Sequence, residues 1–440
     1  MLVYEEQGSG FNHIHLVATL NRLANINESA RHPSFEVFAK ELIGRIRPLV
    51  SKLDARGLAT IVYSCAKLNI KDETLMRAIA VEAPVKIKGF NSQGLSNTAW
   101  AYATLGVYNQ DLMSAIAREA QAKIGGFNSQ GLSNTAWTYA KLGVYDKALM
   151  DVIARAAQAK IGEFIPQGLS NTAWAYATLG VYNQDLMSAI ARAAEVKIGG
   201  FNPQDLSNTA WAYATLGVYD KALMDVIARE AQAKIEGFIP QELSNTAWAL
   251  AVFGITDSPL LPLLKAEINS RLEKGGLFSK EDMRQLRQVS DWLRLTEIDS
   301  LFISEDKLST FERSKDGKGK LEDAVEAAMR AVPSGMKWVY VKEAHIPVIH
   351  HDVDFLLCCK ETGKVCVIEV DGPRHYSKST TLLGHTLLRN RLLRGLGYDL
   401  VTIPYYEWDV PHTFEGRVTY LQGRLSSFFE SGAASSSGFH

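Results

Sequence analysis

Cysteine is scarce in this chain: Cys65, Cys358, Cys359 and Cys366 are the four among 440 residues. No pair encloses the two-residue gap of zinc and dithiol motifs, so zinc clusters and a disulfide framework are excluded and reduced thiols are expected. Long apolar runs are missing too. None reaches the roughly 18 residues of a membrane span, and the opening MLVYEEQGSG has neither a basic region nor an apolar core. A secreted or membrane protein is therefore not expected, and no transit peptide is visible. An excess of either charge is also lacking: 47 lysines and arginines face 48 acids, for a net charge of -1. The whole-chain balance thus gives no sign of a polyanionic partner, although a local basic face depends on how charge is distributed and not on its sum.

What the chain has in abundance is repetition. Trp100, Trp137, Trp174, Trp211 and Trp248 recur every 37 residues inside the phrase LSNTAWAYATLGVY or close variants. Tyr63 takes the tryptophan place in the degenerate copy LATIVYSCAKLNI. Within a unit, Leu95, Ala99, Tyr102 and Leu105 keep helical spacing, as do Leu112, Ile116 and Ala120, which predicts two helices with one apolar face each. Asn202 is expected as an N-cap with Pro203 at the first helical position, and glycine pairs such as Gly125 and Gly126 as the end of the second helix. Such a hairpin cannot cover its own apolar face, so successive copies must stack into a solenoid. The copies alternate, NQDLMSAI at 109 and 183 with DKALMDVI at 146 and 220, marking a duplicated 74-residue double unit.

Along the first helix Gln93, Asn97, Trp100 and Thr104 fall at i, i+4, i+7 and i+11, one stripe of the helix surface. The same stripe repeats as Gln130 and Asn134, Gln167 and Asn171, Gln204 and Asn208, and Gln241 and Asn245. Amides can read base edges and indoles can stack on unpaired bases, the two chemistries of single-stranded RNA recognition. Large aromatics at helical spacing usually sit in a core, so the indoles are expected between repeats. The asparagines suit either a buried amide ladder or an RNA-facing row, and the glutamines are expected at the surface. Near-identical repeats that read one base each would select a near-uniform tract of about five nucleotides.

After Gly276 the repeat decays, and SEDKLSTFERSKDGKGKLED reads as a linker. Then follow a helix over Leu321–Val332, strands over Lys337–Val341, His345–Cys359 and Lys364–Val370, a helix over Leu382–Leu396 and a strand over Asp399–Pro404, a small sheet flanked by helices. HDVDFLL, VIEVDGPRHY and TLLRNRLLRGLGYDLVTIPYYEW resemble the RAP domain of FAST-kinase-like organellar proteins. The array in turn resembles heptatricopeptide and octotricopeptide repeats. Together they imply an α-helical solenoid followed by an α/β domain of restriction-endonuclease-like, PD-(D/E)xK-like topology. The expected layout is a diverged repeat over 1–53, the array over 54–275, a degenerate repeat and linker over 276–320, the RAP-like domain over 321–410, and a helix with a disordered tail over 411–440.

The resemblance implies an organellar factor, mitochondrial or plastid, that binds single-stranded ribosomal or messenger RNA for processing, maturation or stability. Ribosomal or RNA-processing proteins are its implied further partners; no membrane and no cofactor is needed. Arg374, Arg389 and Arg391 would supply contacts to the RNA backbone. The nuclease-like topology implies an alternative, an RNA endonuclease guided by the array. Glu369 and Asp371, two apart on a strand, share a face, and Asp354 can join them to hold Mg²⁺, with His375 as the proton-transfer group. Asp371 stands where that fold expects a lysine. A second structural arrangement pairs these acids with Arg374, Arg389 or Arg391. A third function is a peptide-binding scaffold, which a neutral solenoid also suits.

Overall fold

The computed structural model describes residues 12–26, 35–296, 320–332, 338–360 and 363–430. Most of the expected linker and the whole expected disordered tail lie outside them. The chain divides into two compact units, Met1–Leu179 with Asn183–Thr209, and Gly180–Tyr182 with Ala210–His440.

The first unit is helical throughout its described residues. It begins with α1 (His13–Ala24) and α2 (Phe35–Ile46) and continues as hairpins: α3 (Ala55–Lys67) with α4 (Glu73–Val85), α5 (Ser92–Thr104) with α6 (Gln110–Ala122), α7 (Ser129–Lys141) with α8 (Lys147–Ala159), and α9 (Pro166–Thr178) with α10 (Gln184–Lys197). Side-chain caps set most of these boundaries, and α9 begins instead with Pro166 after Ile165, whose side chain makes no cap. Asn91 and Asn128 cap the first helices by accepting from Gly94 N and Gly131 N at 2.7 and 2.8 Å. Asn109 and Asp146 cap the second helices through Leu112 N and Leu149 N at 2.9 and 2.8 Å. The alternation of NQDLM with DKALM is thus an exchange of two competent caps. Asn202 caps as expected, and Asp205 returns the bond to Asn202 N at 3.2 Å.

Gly106 and Gly143 end their helices at φ +63° and +67°, where a side chain is strained. Gly125 and Gly126 do otherwise. They belong to a 3₁₀ turn, Ile124–Gly126, so they do not cap the second helix. At Gly126 the requirement is space, since an added Cβ would come within 2.8 Å of Ser92 Oγ.

Stacking is fixed by two bonds that recur in copy after copy. Tyr102, Tyr139 and Tyr176 are fully buried and donate to the carbonyls of Met76, Met113 and Met150 in the preceding hairpin at 2.6–2.7 Å. At the end of each second helix a lysine reaches back to two carbonyls of the preceding turn: Lys123 to Lys88 O and Phe90 O at 2.8 and 2.7 Å, and Lys197 to Gly162 O and Phe164 O at 2.7 and 2.6 Å. Phe90, Phe127, Phe164 and Phe201 fill the space between hairpins. Each hairpin therefore carries the donors that its predecessor's carbonyls require.

The second unit contains α12 (Lys221–Lys234), α13 (Pro240–Phe253), α14 (Leu260–Glu273) and α15 (Lys280–Leu295); α11 (Pro203–Leu216) runs across the division. The α/β domain follows: α16 (Lys320–Ala331), β1 (Trp338–Ile346), β2 (His351–Cys359), β3 (Val365–Asp371), α17 (Gly384–Gly395), β4 (Asp399–Pro404), α18 (Tyr405–Trp408) and α19 (Phe414–Glu430). Its four-stranded sheet runs β1-β2-β3-β4, antiparallel as far as β3 and parallel between β3 and β4. The expected α-β-β-β-α-β order holds. The short strand expected to stop at Val341 continues to Ile346, because His345 and Ile346 pair with Asp352 and His351 instead of beginning the next strand. Phe355, Leu357, Ile368 and Ile403 pack with Val325, Met329, Trp408 and Leu421 to form the domain core. All four cysteines are free thiols, Cys65, Cys359 and Cys366 buried. No described helix is long and apolar enough to cross a membrane.

Candidate nucleic-acid interface

The solvent-facing side of the first helices is the predicted stripe. In α5 the residues between Leu95 and Ala103 are buried except Asn97 and Trp100, and in α7 those between Gly131 and Ala140 except Asn134 and Trp137. Gln93, Gln130, Gln167 and Gln204 are exposed, while Asn97, Asn134, Asn171 and Asn208 are half-buried. A buried amide ladder is not what these asparagines make: among the described residues their side chains have no hydrogen-bond partner. Their amides keep both donor and acceptor for a ligand.

The tryptophans depart from the core position expected of them. Trp100, Trp137 and Trp174 are half-buried, and the fully buried aromatic is the tyrosine two residues on. Two residues turn a helix by about 200°, so Tyr102 takes the core face and Trp100 the opposite one. Each indole is therefore half-covered and leaves part of its surface open to a flat partner.

Neighbouring stripes touch, with the rings of Tyr63 and Trp100 5.5 Å apart at 45°. Four residues beyond the aromatic, Lys67 and Lys141 hold their ammonium groups 5.9 and 4.6 Å from the Tyr63 and Trp137 ring centres. Arg56 occupies the glutamine position of the first copy. No acid falls on the stripe of α3, α5, α7 or α9, whereas Asp111, Glu119 and Asp146 belong to the second helices and their caps. The near-neutral chain therefore carries a strip of amides, π-faces and scattered cations. Sequence reasoning missed Lys67 and Lys141, although their spacing of four from the aromatic was there to read.

In the fifth copy the same stripe has a different fate. Gln241 is exposed, but Asn245 accepts from Gln285 Nε2 at 3.1 Å, and Trp248 is 5% exposed with its Nε1 donating to Gln288 at 2.8 Å.

The carboxylates of the α/β domain do converge, but on an arginine. Arg389 of α17 donates through Nη1 to Glu369 at 3.1 Å and through Nη2 to Asp371 at 2.8 Å. Glu369, Asp371 and Arg389 are 3%, 0% and 9% exposed. Asp354 Oδ2 accepts from Val370 N at 2.7 Å, and burial together with the charge of Glu369 pushes its carboxyl up to about 8. Burial alone would raise Glu369, yet Arg389 and then His351 bring it below the usual carboxyl value. Two oxygens, Glu369 Oε1 and Asp371 Oδ2, accept no hydrogen bond, although His351 Nε2 lies 3.7 Å from the first. The set nevertheless does not fit a divalent cation. A guanidinium already neutralises both strand carboxylates, and Asp354 is protonated near neutral pH. Among the described residues no three His, Cys, Asp or Glu groups are placed to share an ion.

His375 sits 3.0 Å from Thr386 Oγ1 and 3.5 Å from Asp371, its pKa lowered chiefly by burial. Of the three arginines expected to face RNA, Arg374 is exposed. Arg389 is withdrawn into the acids, and Arg391 donates to the carbonyls of Ala251 and Val252 at 2.8 and 2.7 Å. Arg389 is thus turned inward onto the end of β3, whereas Arg391 is exposed and places only its Nη1 on the end of α13.

Two family models match separate stretches of the chain. Residues 6–264, more than half of the chain, match the family of the RNA-editing substrate-binding complex 6 protein. The chain belongs to that family. Residues 368–424, from β3 into α19, match the RAP domain. Over 69 residues the chain is 39% identical to FAST kinase domain-containing protein 3, mitochondrial, of Bos taurus; that stretch is 16% of this chain and 10% of the relative. The likeness to RAP-domain proteins of the FAST-kinase type is thereby upheld, and the chain spans only a small part of that relative.

Proposed function

We propose that this protein is a mitochondrial single-stranded RNA-binding factor acting in the processing, maturation or stability of ribosomal or messenger RNA. One observation carries the reading: a repeated surface stripe of half-buried indoles and unpartnered amides, without an acid, in a chain of net charge -1. Indoles supply stacking that any base can use, and amides supply edge recognition. The family name, the RAP domain and the mitochondrial relative support the same job. RNA-processing or ribosomal proteins fit as further partners of such a factor.

The geometry weighs against the endonuclease alternative, since the acids that would cut are occupied by Arg389 and by Val370 N. The test is to crosslink the purified chain to unpaired RNA at low ionic strength and sequence what is retained. A near-uniform tract is expected, with affinity that falls as salt rises. Failure to retain RNA, or a strongly mixed motif, would overturn the reading and favour peptide docking.

A further inference from the structure

The five first-helix copies from 92 to 253 are nearly identical in sequence, yet the last differs from the others in its surroundings. Trp248 is buried, Asn245 is bonded to Gln285, and the position four beyond the indole is Val252, also buried. The cover comes from α15 and from the segment leading into α17. Gly384 lies so close to α11 and α13 that a Cβ there would overlap the Ala214 carbonyl and come within 3.2 Å of Trp248 Cη2.

The helix-ending glycines record the same contact. At Gly106 and Gly143 an added Cβ would meet nothing within 4 Å, whereas at Gly217 it would meet Leu382 O at 2.6 Å and at Gly254 it would meet Arg391 Nη1 at 2.6 Å. Arg391 Nη1 also donates to Ala251 O and Val252 O at the end of α13, adding to the bond that Gly254 N makes to Ala251 O. Burial, hydrogen bonding, steric approach and a bond to the helix end thus coincide at the fifth copy, and the steric approach extends to the end of the fourth at Ala214 and Gly217.

We infer that the α/β domain, packed together with α15, is the end stop of the RNA track: between them they cover the stripe at Trp248, withdraw the fifth copy from base stacking and fix the length of tract the array accepts. The inference rests on the RNA-binding reading above. Its consequence is a ruler built into the fold, in which a sequence repeat of five offers four stacking tryptophans. Unpaired RNA longer than the open copies gains no further stacking contact from the array.

The experiment uses the full chain and whichever uniform oligoribonucleotide of the four bases it holds most tightly, followed by ultraviolet crosslinking and peptide mapping. Crosslinks are expected within 93–104, 130–141, 167–178 and 204–215, and none within 241–252. In parallel, Trp137→Ala should weaken binding by about 5- to 150-fold, the loss of one stacked base, and Trp248→Ala should leave affinity within about twofold. Gly384→Val, which displaces the cover, should increase the length at which affinity saturates by about one nucleotide. Crosslinks at Trp248 in the unaltered chain, or equal losses in the two tryptophan variants, would overturn the end stop and leave the RNA reading standing. If no oligoribonucleotide binds, the RNA reading itself fails, and the end stop with it. Because the crosslink map needs no substitution, a variant that does not fold leaves the test intact.

Discussion

Replacing Asp354 with asparagine separates a structural carboxyl from a metal ligand. Burial and the neighbouring Glu369 raise the Asp354 carboxyl to about 8, from a value near 4 in the unfolded chain. Between those values the folded protein holds a proton that the unfolded chain has released, so stability declines as pH rises through that window. Each pH unit is worth about 1.4 kcal/mol, or roughly 3–6 °C in Tm for a unit of this size. Asparagine is a neutral mimic of the protonated acid and can still accept from Val370 N, whose bond is 2.7 Å. Asp354→Asn should therefore already exceed the unaltered protein slightly in Tm at pH 5 and increasingly toward pH 8. Differential scanning fluorimetry of both proteins at half-unit intervals isolates this group, because His375 and every other titrating group is common to the two. A Tm difference that does not change between pH 5 and 8 would mean that Asp354 is ionised in the fold, as a Mg²⁺ ligand must be, and would refute the argument.

Arg389→Met should cost about 3–5 kcal/mol, since it strands Glu369 and Asp371 as buried charges; limited proteolysis should find the α/β domain opened, and unchanged resistance would contradict the buried pair. Lys123→Met should destabilise the array by about 1.5–3 kcal/mol through loss of its bonds to Lys88 O and Phe90 O, while leaving the RNA affinity of folded protein unaltered in a filter-binding assay. Lys141→Ala is expected to do the reverse, with stability kept, weaker RNA binding, and a salt dependence shallower by roughly one charge.

Much of the array was legible because periodicity is a property of order along the chain. The spacing of 37 residues and the stripe Gln93, Asn97, Trp100 and Thr104 follow from helix geometry once two helices per unit are recognised. Which aromatic faces inward was not legible from residue type alone: tryptophan and tyrosine are both amphipathic, and only the carbonyl of Met113, placed by the preceding hairpin, selects Tyr139 for the core. The α/β strand order was readable from apolar alternation, and Glu369 and Asp371 do share a face. That their common partner is Arg389, 18 residues beyond Asp371, depends on how α17 returns across the sheet. Nor could local sequence distinguish Trp248 from Trp100, since the difference lies in Gly384 and Gln288, which belong to other elements.

The most direct measurement is the affinity of a chain carrying Trp100→Ala, Trp137→Ala and Trp174→Ala together for a uniform unpaired oligoribonucleotide, read by fluorescence anisotropy alongside circular dichroism. Losing three of the four stacking faces at about 1–3 kcal/mol each should weaken binding by at least about 100-fold while the helical signal persists. Binding of undiminished strength by the folded triple variant would contradict the account.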